Sequence, residues 1–218
     1  MNYEKIFEDI FEKLKNVPDE GKVADYIPEL ARVNPDSFGV HLTTVDGVHY
    51  AFGDSETRFS VQSIAKVLSF VLAYSHLKSN IWKRMDLEPA GTPFNSLVQL
   101  EYDRGIPRNP FVNAGAIVVC DILVSRLDDP SGEVLEFVRS LSGNNKIDYN
   151  LKVAYSERSM AYRNYALIHL MKSFGNIRND IEKVMDLYFK ICSIEMTCRE
   201  LSESFLFLAN KFTCNSFA

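Results

Sequence analysis

The sequence has no Cys-x-x-Cys pair, no long uncharged hydrophobic run and no basic stripe, and each absence removes a class of function. The four cysteines, Cys120, Cys192, Cys198 and Cys214, are scattered along the chain. That spacing predicts buried reduced thiols in a cytoplasmic protein, with no metal site and no disulfide framework. The most apolar stretches, 61–74 and 111–124, are broken by Lys66 and by Asn113 and Asp121, so neither reads as a membrane span. The opening Met1-Asn2-Tyr3-Glu4-Lys5 lacks the basic-then-apolar order of a secretory leader. Net charge is -5 without clustered Lys or Arg, which argues against a nucleic-acid surface.

What remains is 218 residues, 46% hydrophobic and 24% charged, the profile of a globular protein with a substantial core. Ile6, Phe7, Ile10, Phe11 and Leu14 recur at helical spacing and predict an amphipathic helix over 3–16, with a short helix expected at 22–33. Phe38–Thr44 and Val48–Phe52 read as strands joined through Asp46-Gly47, predicting a β-hairpin over 38–53. Val61 to Leu72 leave almost no polar face, so 61–77 is expected to be a helix buried on most sides. A Pro- and Gly-rich loop is expected over 87–112. Further helices are expected at about 113–128, 131–141, 157–174, 179–190 and 197–210.

One short stretch carries chemistry. In Phe59-Ser60-Val61-Gln62-Ser63-Ile64-Ala65-Lys66, Ser63 and Lys66 are spaced to share a helix face. A serine needs a base to become nucleophilic. Lysine, with a pKa near 10.4, leaves roughly one amine in 2,500 neutral at pH 7. Burial can lower that pKa by up to about 3–5 units, and the apolar start of a helix offers such burial. The tetrapeptide alone is ambiguous, since an N-terminal serine beside a snorkelling lysine looks the same. A second copy, Ser75-His76-Leu77-Lys78, runs into polar Ser79-Asn80 and reads as a solvated helix end.

Longer blocks remove the ambiguity. Ala90-Gly91-Thr92-Pro93-Phe94-Asn95-Ser96-Leu97-Val98-Gln99-Leu100-Glu101 and Ile106-Pro107-Arg108-Asn109-Pro110-Phe111-Val112-Asn113-Ala114-Gly115-Ala116-Ile117 resemble hallmark stretches of the serine-dependent glutaminases. So do Tyr155-Ser156-Glu157-Arg158, Tyr162-Arg163-Asn164 and Tyr188-Phe189-Lys190-Ile191-Cys192-Ser193-Ile194, and the resemblance runs from about Tyr26 to Ala209. It implies an α+β fold of the β-lactamase/transpeptidase type, forming a single domain over 1–218. Helices and the hairpin would occupy 1–59 and a helical lobe 60–210, with an atypical tail at 211–218. It implies hydrolysis of L-glutamine without a cofactor, with Ser63 as nucleophile and Lys66 as its proton partner. The unpaired sheet edge of a chain short of strands is expected to drive it into a homo-oligomer. Tyr26, Gln62, Asn113, Glu157, Asn164 and Tyr188 would line the glutamine pocket. Taken alone, Glu157 reads as a helix-start acid, Asn113 as an N-cap, and Tyr26 and Tyr188 as core aromatics.

The family pattern also includes C-terminal sheet strands, a second active-site tyrosine and a Lys-Ser-Gly-type segment. No Lys-[Ser/Thr]-Gly occurs in this sequence, and 211–218 matches nothing in the pattern. The chain is therefore expected to be truncated, with a hairpin short of strand neighbours and slow turnover of glutamine. Three readings stay open at this point: a glutaminase, a non-catalytic remnant that associates with a partner, and a penicillin-interacting hydrolase.

Overall fold

The computed structural model describes residues 1–15, 17, 21–91 and 93–209. In chain order the elements begin with α1 (Tyr3–Lys15), β1 (Gly39–Thr43), β2 (His49–Gly53), β3 (Phe59–Ser60) and α2 (Ala65–Leu77). α3 (Leu97–Tyr102), α4 (Asn113–Arg126), α5 (Pro130–Ser142), β4 (Asp148–Tyr149) and α6 (Leu151–Ser159) follow. α7 (Tyr162–Ser173), α8 (Ile181–Cys192), β5 (Ile194–Met196), α9 (Cys198–Ser204) and α10 (Leu206–Ala209) complete them. The result is a mostly helical α+β fold with two small sheets, an antiparallel hairpin β1-β2 and a sheet in the order β3-β5-β4.

The chain divides into two compact units. The first comprises Met1–Phe59, Val138–Ile147 and Glu195–Ala218. Its hairpin pairs Gly39 with Gly53 and Thr43 with His49, and Gly47 turns it with φ 83. α1 lies on one face, where Phe11 meets Phe38 and Phe52 with ring centroids 5.3 Å apart in each pair. α9 supports β1, with the Ser202 hydroxyl 2.8 Å from His41 Nδ1 and 2.7 Å from Thr43 Oγ1. The hairpin has no further strand neighbour among the described residues, but helices cover it. Thr197 and Glu200 form a capping box that starts α9. Buried Glu200 also accepts from Arg58 Nη2 at 2.7 Å.

The second unit comprises Ser60–Phe137 and Asp148–Ile194. At its centre is α4, buried continuously from Ala114 to Leu123 and packed against α2, α7 and α8. α2, expected to be buried on most sides, exposes Tyr74 and His76, and the most continuously buried helix is α4. Several other expectations are corrected. Of 22–33, only Leu30–Arg32 is helical, as a single 3-10 turn. The loop expected over 87–112 contains α3, started by the Ser96 side chain accepting from Gln99 N. The helix expected over 157–174 is two helices, α6 and α7, broken at Met160–Ala161. The last expected helix is likewise interrupted, at Phe205. The tail at 211–218 and Cys214 lie outside the described residues.

Candidate active site

Ser63 stands in a 3-10 turn, Gln62–Ile64, that leads directly into α2. Gln62 carries φ 48, left-handed backbone that a non-glycine residue occupies only when its surroundings hold it there. The Val61 N–H donates to the Ile194 carbonyl at 2.9 Å and anchors the chain just before this bend. The abrupt turn leaves Ser63 exposed, while Lys66, one helical turn further on, is 5% exposed. Ser63, expected at the N-terminal end of a buried helix and away from the exposed surface, is thus found exposed in the turn before it.

Lys66 is held by two acceptors. Its Nζ donates to Asn113 Oδ1 at 2.8 Å and to the Phe111 carbonyl at 3.2 Å. Burial pushes its pKa down, and the nearby Cys192 and Glu157 oppose that shift. The Phe111 carbonyl is itself placed by the preceding residues. Asn109 Oδ1 accepts from the N–H groups of Phe111 and Val112 at 2.9 and 3.1 Å. Gly115 lets that loop lie against α4, since a Cβ there would meet the Asn109 carbonyl oxygen at 2.0 Å. Asn113 is the first residue of α4, and Val112 is the N-cap position. Its side chain does not cap. It bridges Lys66 to α7, with Nδ2 donating to Asn164 Oδ1 at 3.1 Å.

Glu157 is not at a helix start. It lies in the last turn of α6, where the helix dipole disfavours a carboxylate. It is 7% exposed, and its Oε1 has no hydrogen-bond partner among the described residues. Burial pushes its pKa up to about 6, against the opposing effects of a hydrogen bond from Gln62 and the charge of Lys66. Because α6 and α7 are separate helices, Glu157 and Asn164 do not share one helix face. They meet through Lys66 instead, Asn164 by way of Asn113 and Glu157 by its field.

Tyr188 and Cys192 follow one another by a turn of α8 and are both buried. Burial, with Cys192 and Glu157 nearby, pushes the Tyr188 phenol well above its usual range. Cys192 is pushed up to about 12, chiefly by burial and by Glu157, so it is a protonated, unreactive thiol. Gln62, Ser63, Lys66, Asn113, Glu157, Asn164 and Tyr188 all belong to the second unit, whereas Tyr26 lies in the first, 55% exposed in a bend before Leu30. Sequence reasoning missed the Phe111 carbonyl, which has no side-chain signal. It also missed Cys192, whose only signal is its four-residue spacing from Tyr188. The second Ser-x-x-Lys forms no comparable site: Ser75 donates back to the Leu72 carbonyl at 2.7 Å and Lys78 is exposed. No group of three or more His, Cys, Asp or Glu able to hold a metal occurs among the described residues.

The fold has counterparts among solved structures. A structure described as probable glutaminase ybaS superposes with a TM-score of 0.87 at 29% identity, covering 94% of this chain and 67% of its own. A structure of Mglu in its tris and glutamate form gives a TM-score of 0.85 at 26% identity, covering 94% of this chain and 46% of its own. These are glutaminase structures of the β-lactamase-like fold. The Glutaminase family model matches residues 21–216, and the chain belongs to that family. A glutaminase of Saccharophagus degradans is 56% identical over 209 residues, covering 96% of this chain and 68% of the relative. The chain thus spans about two thirds of that relative's length.

Proposed function

We propose that this chain hydrolyses L-glutamine to L-glutamate and ammonia through an acyl-enzyme on Ser63. Family membership and the 56% identity to a glutaminase support the reaction, and they disfavour the non-catalytic reading. The observation that carries the mechanism is the setting of Lys66. A neutral lysine amine has two N–H donors and one lone pair. Asn113 Oδ1 and the Phe111 carbonyl occupy two donors, so the lone pair is left for a proton. Lys66 then takes the Ser63 proton as Oγ attacks the side-chain amide carbon. The tetrahedral adduct expels ammonia, which leaves with that proton. Water attacks the ester, its proton passes through Lys66 back to Ser63 Oγ, and glutamate is released.

Glutamine also presents an ammonium and a carboxylate. The vacant Oε1 of Glu157 suits the ammonium. Gln62, Asn164 and Tyr188 are assigned to the pocket by the family pattern. The test is ammonia release from glutamine beside Ser63→Ala and Lys66→Ala, with a labelled penicillin in parallel. Glutamine turnover is expected to fall by roughly 10³-fold or more in each variant. Label incorporated at Ser63, without ammonia release, would favour the penicillin-reactive reading.

The chain is further proposed to be cytoplasmic and to self-associate. Cys120, Cys192 and Cys198 are free thiols, in keeping with a reducing compartment. No helix among the described residues is long and apolar enough to cross a membrane. Phe94, Val98 and Tyr102 are 67%, 80% and 86% exposed at helical spacing around α3, apolar surface of the kind that association covers. Sedimentation of the wild type beside Val98→Lys/Tyr102→Lys checks this. A mass equal to the monomer for both would overturn it.

A further inference from the structure

A second concavity in the same unit is built from cations. It encloses about 230 Å³ between the 3-10 turn Lys78–Lys83, the end of α4 and the loop before α8, and its lining includes Lys83, Arg84, Arg126 and Arg178. That volume exceeds the ~150 Å³ that accommodates benzene and falls below the ~300 Å³ of a drug-sized site. A compact ligand of a few carbons fits the range.

The four cations are not equivalent. Arg84 is buried and neutralised, its Nη2 donating to Asp121 Oδ2 at 2.6 Å and to the Asn176 carbonyl. Lys83, Arg126 and Arg178 are exposed, and among the described residues none of the three is in an ion pair. No carboxylate lines the pocket. The Asp121 carboxylate beneath it is already occupied by Arg84, by the N–H groups of Arg178 and Asn179, and by Asn179 Nδ2. Three cationic residues without an ion pair among the described residues therefore line one hollow of a chain whose net charge is -5.

A bland account covers only part of this. Arg126 ends α4 and complements the negative end of its dipole. That pole carries about half an elementary charge, too little to balance three cations, and it does not explain why Lys83 and Arg178 face the same space. Arg178 is also presented rigidly, because its own N–H and that of Asn179 are fixed at 3.1 and 2.9 Å from Asp121 Oδ1. Asn80 is a further polar residue of the lining. Ser125 is already engaged, donating to the Asp121 carbonyl at 3.0 Å and accepting from Asn179 Nδ2 at 2.7 Å.

We propose that this pocket binds a small organic anion carrying at least two negative charges, a phosphate monoester or a di- or tricarboxylate of a few carbons. It shares no residue with the Ser63 site, and the assignment does not depend on the glutamine reading.

Calorimetric titration of the full chain with glycerol 3-phosphate, citrate and inorganic phosphate, with glycerol as neutral control, tests it. One-to-one binding of glycerol 3-phosphate or citrate is expected, with none of glycerol, and it should persist in saturating L-glutamate. The tighter of the two identifies phosphoryl or carboxylate recognition. Inorganic phosphate matching glycerol 3-phosphate would locate recognition in the phosphoryl group itself. Arg126→Gln and Arg178→Gln alter exposed side chains and should fold normally by circular dichroism. Each is expected to weaken binding roughly tenfold or more, the loss of a charge-assisted hydrogen bond. Raised salt should weaken binding in the wild type more than in either variant. Absence of binding up to about 10 mM, binding unchanged in both variants, or displacement by glutamate would overturn the proposal.

Discussion

Glu157 brings stability and function into opposition at one residue. Its pKa in the folded chain, about 6, exceeds the ordinary 4.5, so its contribution to stability is complete below 4.5 and is lost as pH rises through about 6. At pH 7.5 keeping this buried carboxylate ionised costs about 2 kcal/mol. Glu157→Gln is therefore expected to unfold at higher urea than wild type at pH 7.5, with the advantage gone by pH 4. Under the proposed glutaminase reading the same substitution removes the counter-charge for the substrate ammonium, and kcat/KM should fall by roughly 10²-fold. In the wild type, the acid limb of kcat/KM should show a midpoint near 6. Equal urea midpoints at both pH values would refute the electrostatic account, and a variant with unchanged kcat/KM would remove Glu157 from the pocket.

Between elements, one tie in the second unit is polar rather than apolar. Arg84, Asp121 and Asn176 are all buried, and together they join the turn after α2, the middle of α4 and the loop before α8. Arg84→Met leaves the Asp121 charge without its counter-ion, and about 3–5 kcal/mol of stability should be lost. Thr197→Ala, which removes one half of the capping box of α9, should cost only about 1 kcal/mol. Urea denaturation of the two variants ranks them, and the reverse order would contradict this reading. Nothing in the sequence pattern pairs Arg84 with Asp121 across intervening segments, so this tie was not legible there. The hairpin was, because Asp46-Gly47 stands between two alternating runs. The break at Met160–Ala161 was not, since neither Pro nor Gly marks it. α3 was hidden in a loop that Pro93 and Gly105 punctuate, and strands of two or three residues are too short to show a period. Of the candidate site, helical spacing suggested one face for Ser63 and Lys66, whereas Ser63 stands in the 3-10 turn before α2 and only Lys66 is in the helix. The convergence of Asn113, Asn164 and Glu157 around Lys66 was reached only through family resemblance, because it depends on tertiary packing of four helices.

Over the whole chain, burial is distributed unevenly, and opening should follow it. α4 is buried through ten successive residues, from Ala114 to Leu123, whereas α1 has none buried. Hydrogen exchange should therefore find the amides of α4 and α8 the slowest and those of α1 among the fastest, exchanging through local fraying. Protection of α1 equal to that of α4 would contradict this.

The unpartnered oxygen of Glu157 has one more consequence, under the glutaminase reading. A buried carboxylate with one oxygen left without a hydrogen bond is a cost that the right ligand can relieve. Glutamine should then act as a thermal stabiliser as well as a substrate. The gain is about 2.7 kcal/mol when free ligand is 100 times its Kd. In a Ser63→Ala background, where no turnover confuses the measurement, the melting temperature should climb with glutamine concentration. N-acetylglutamine, whose amine can no longer carry a proton, should leave it where it was.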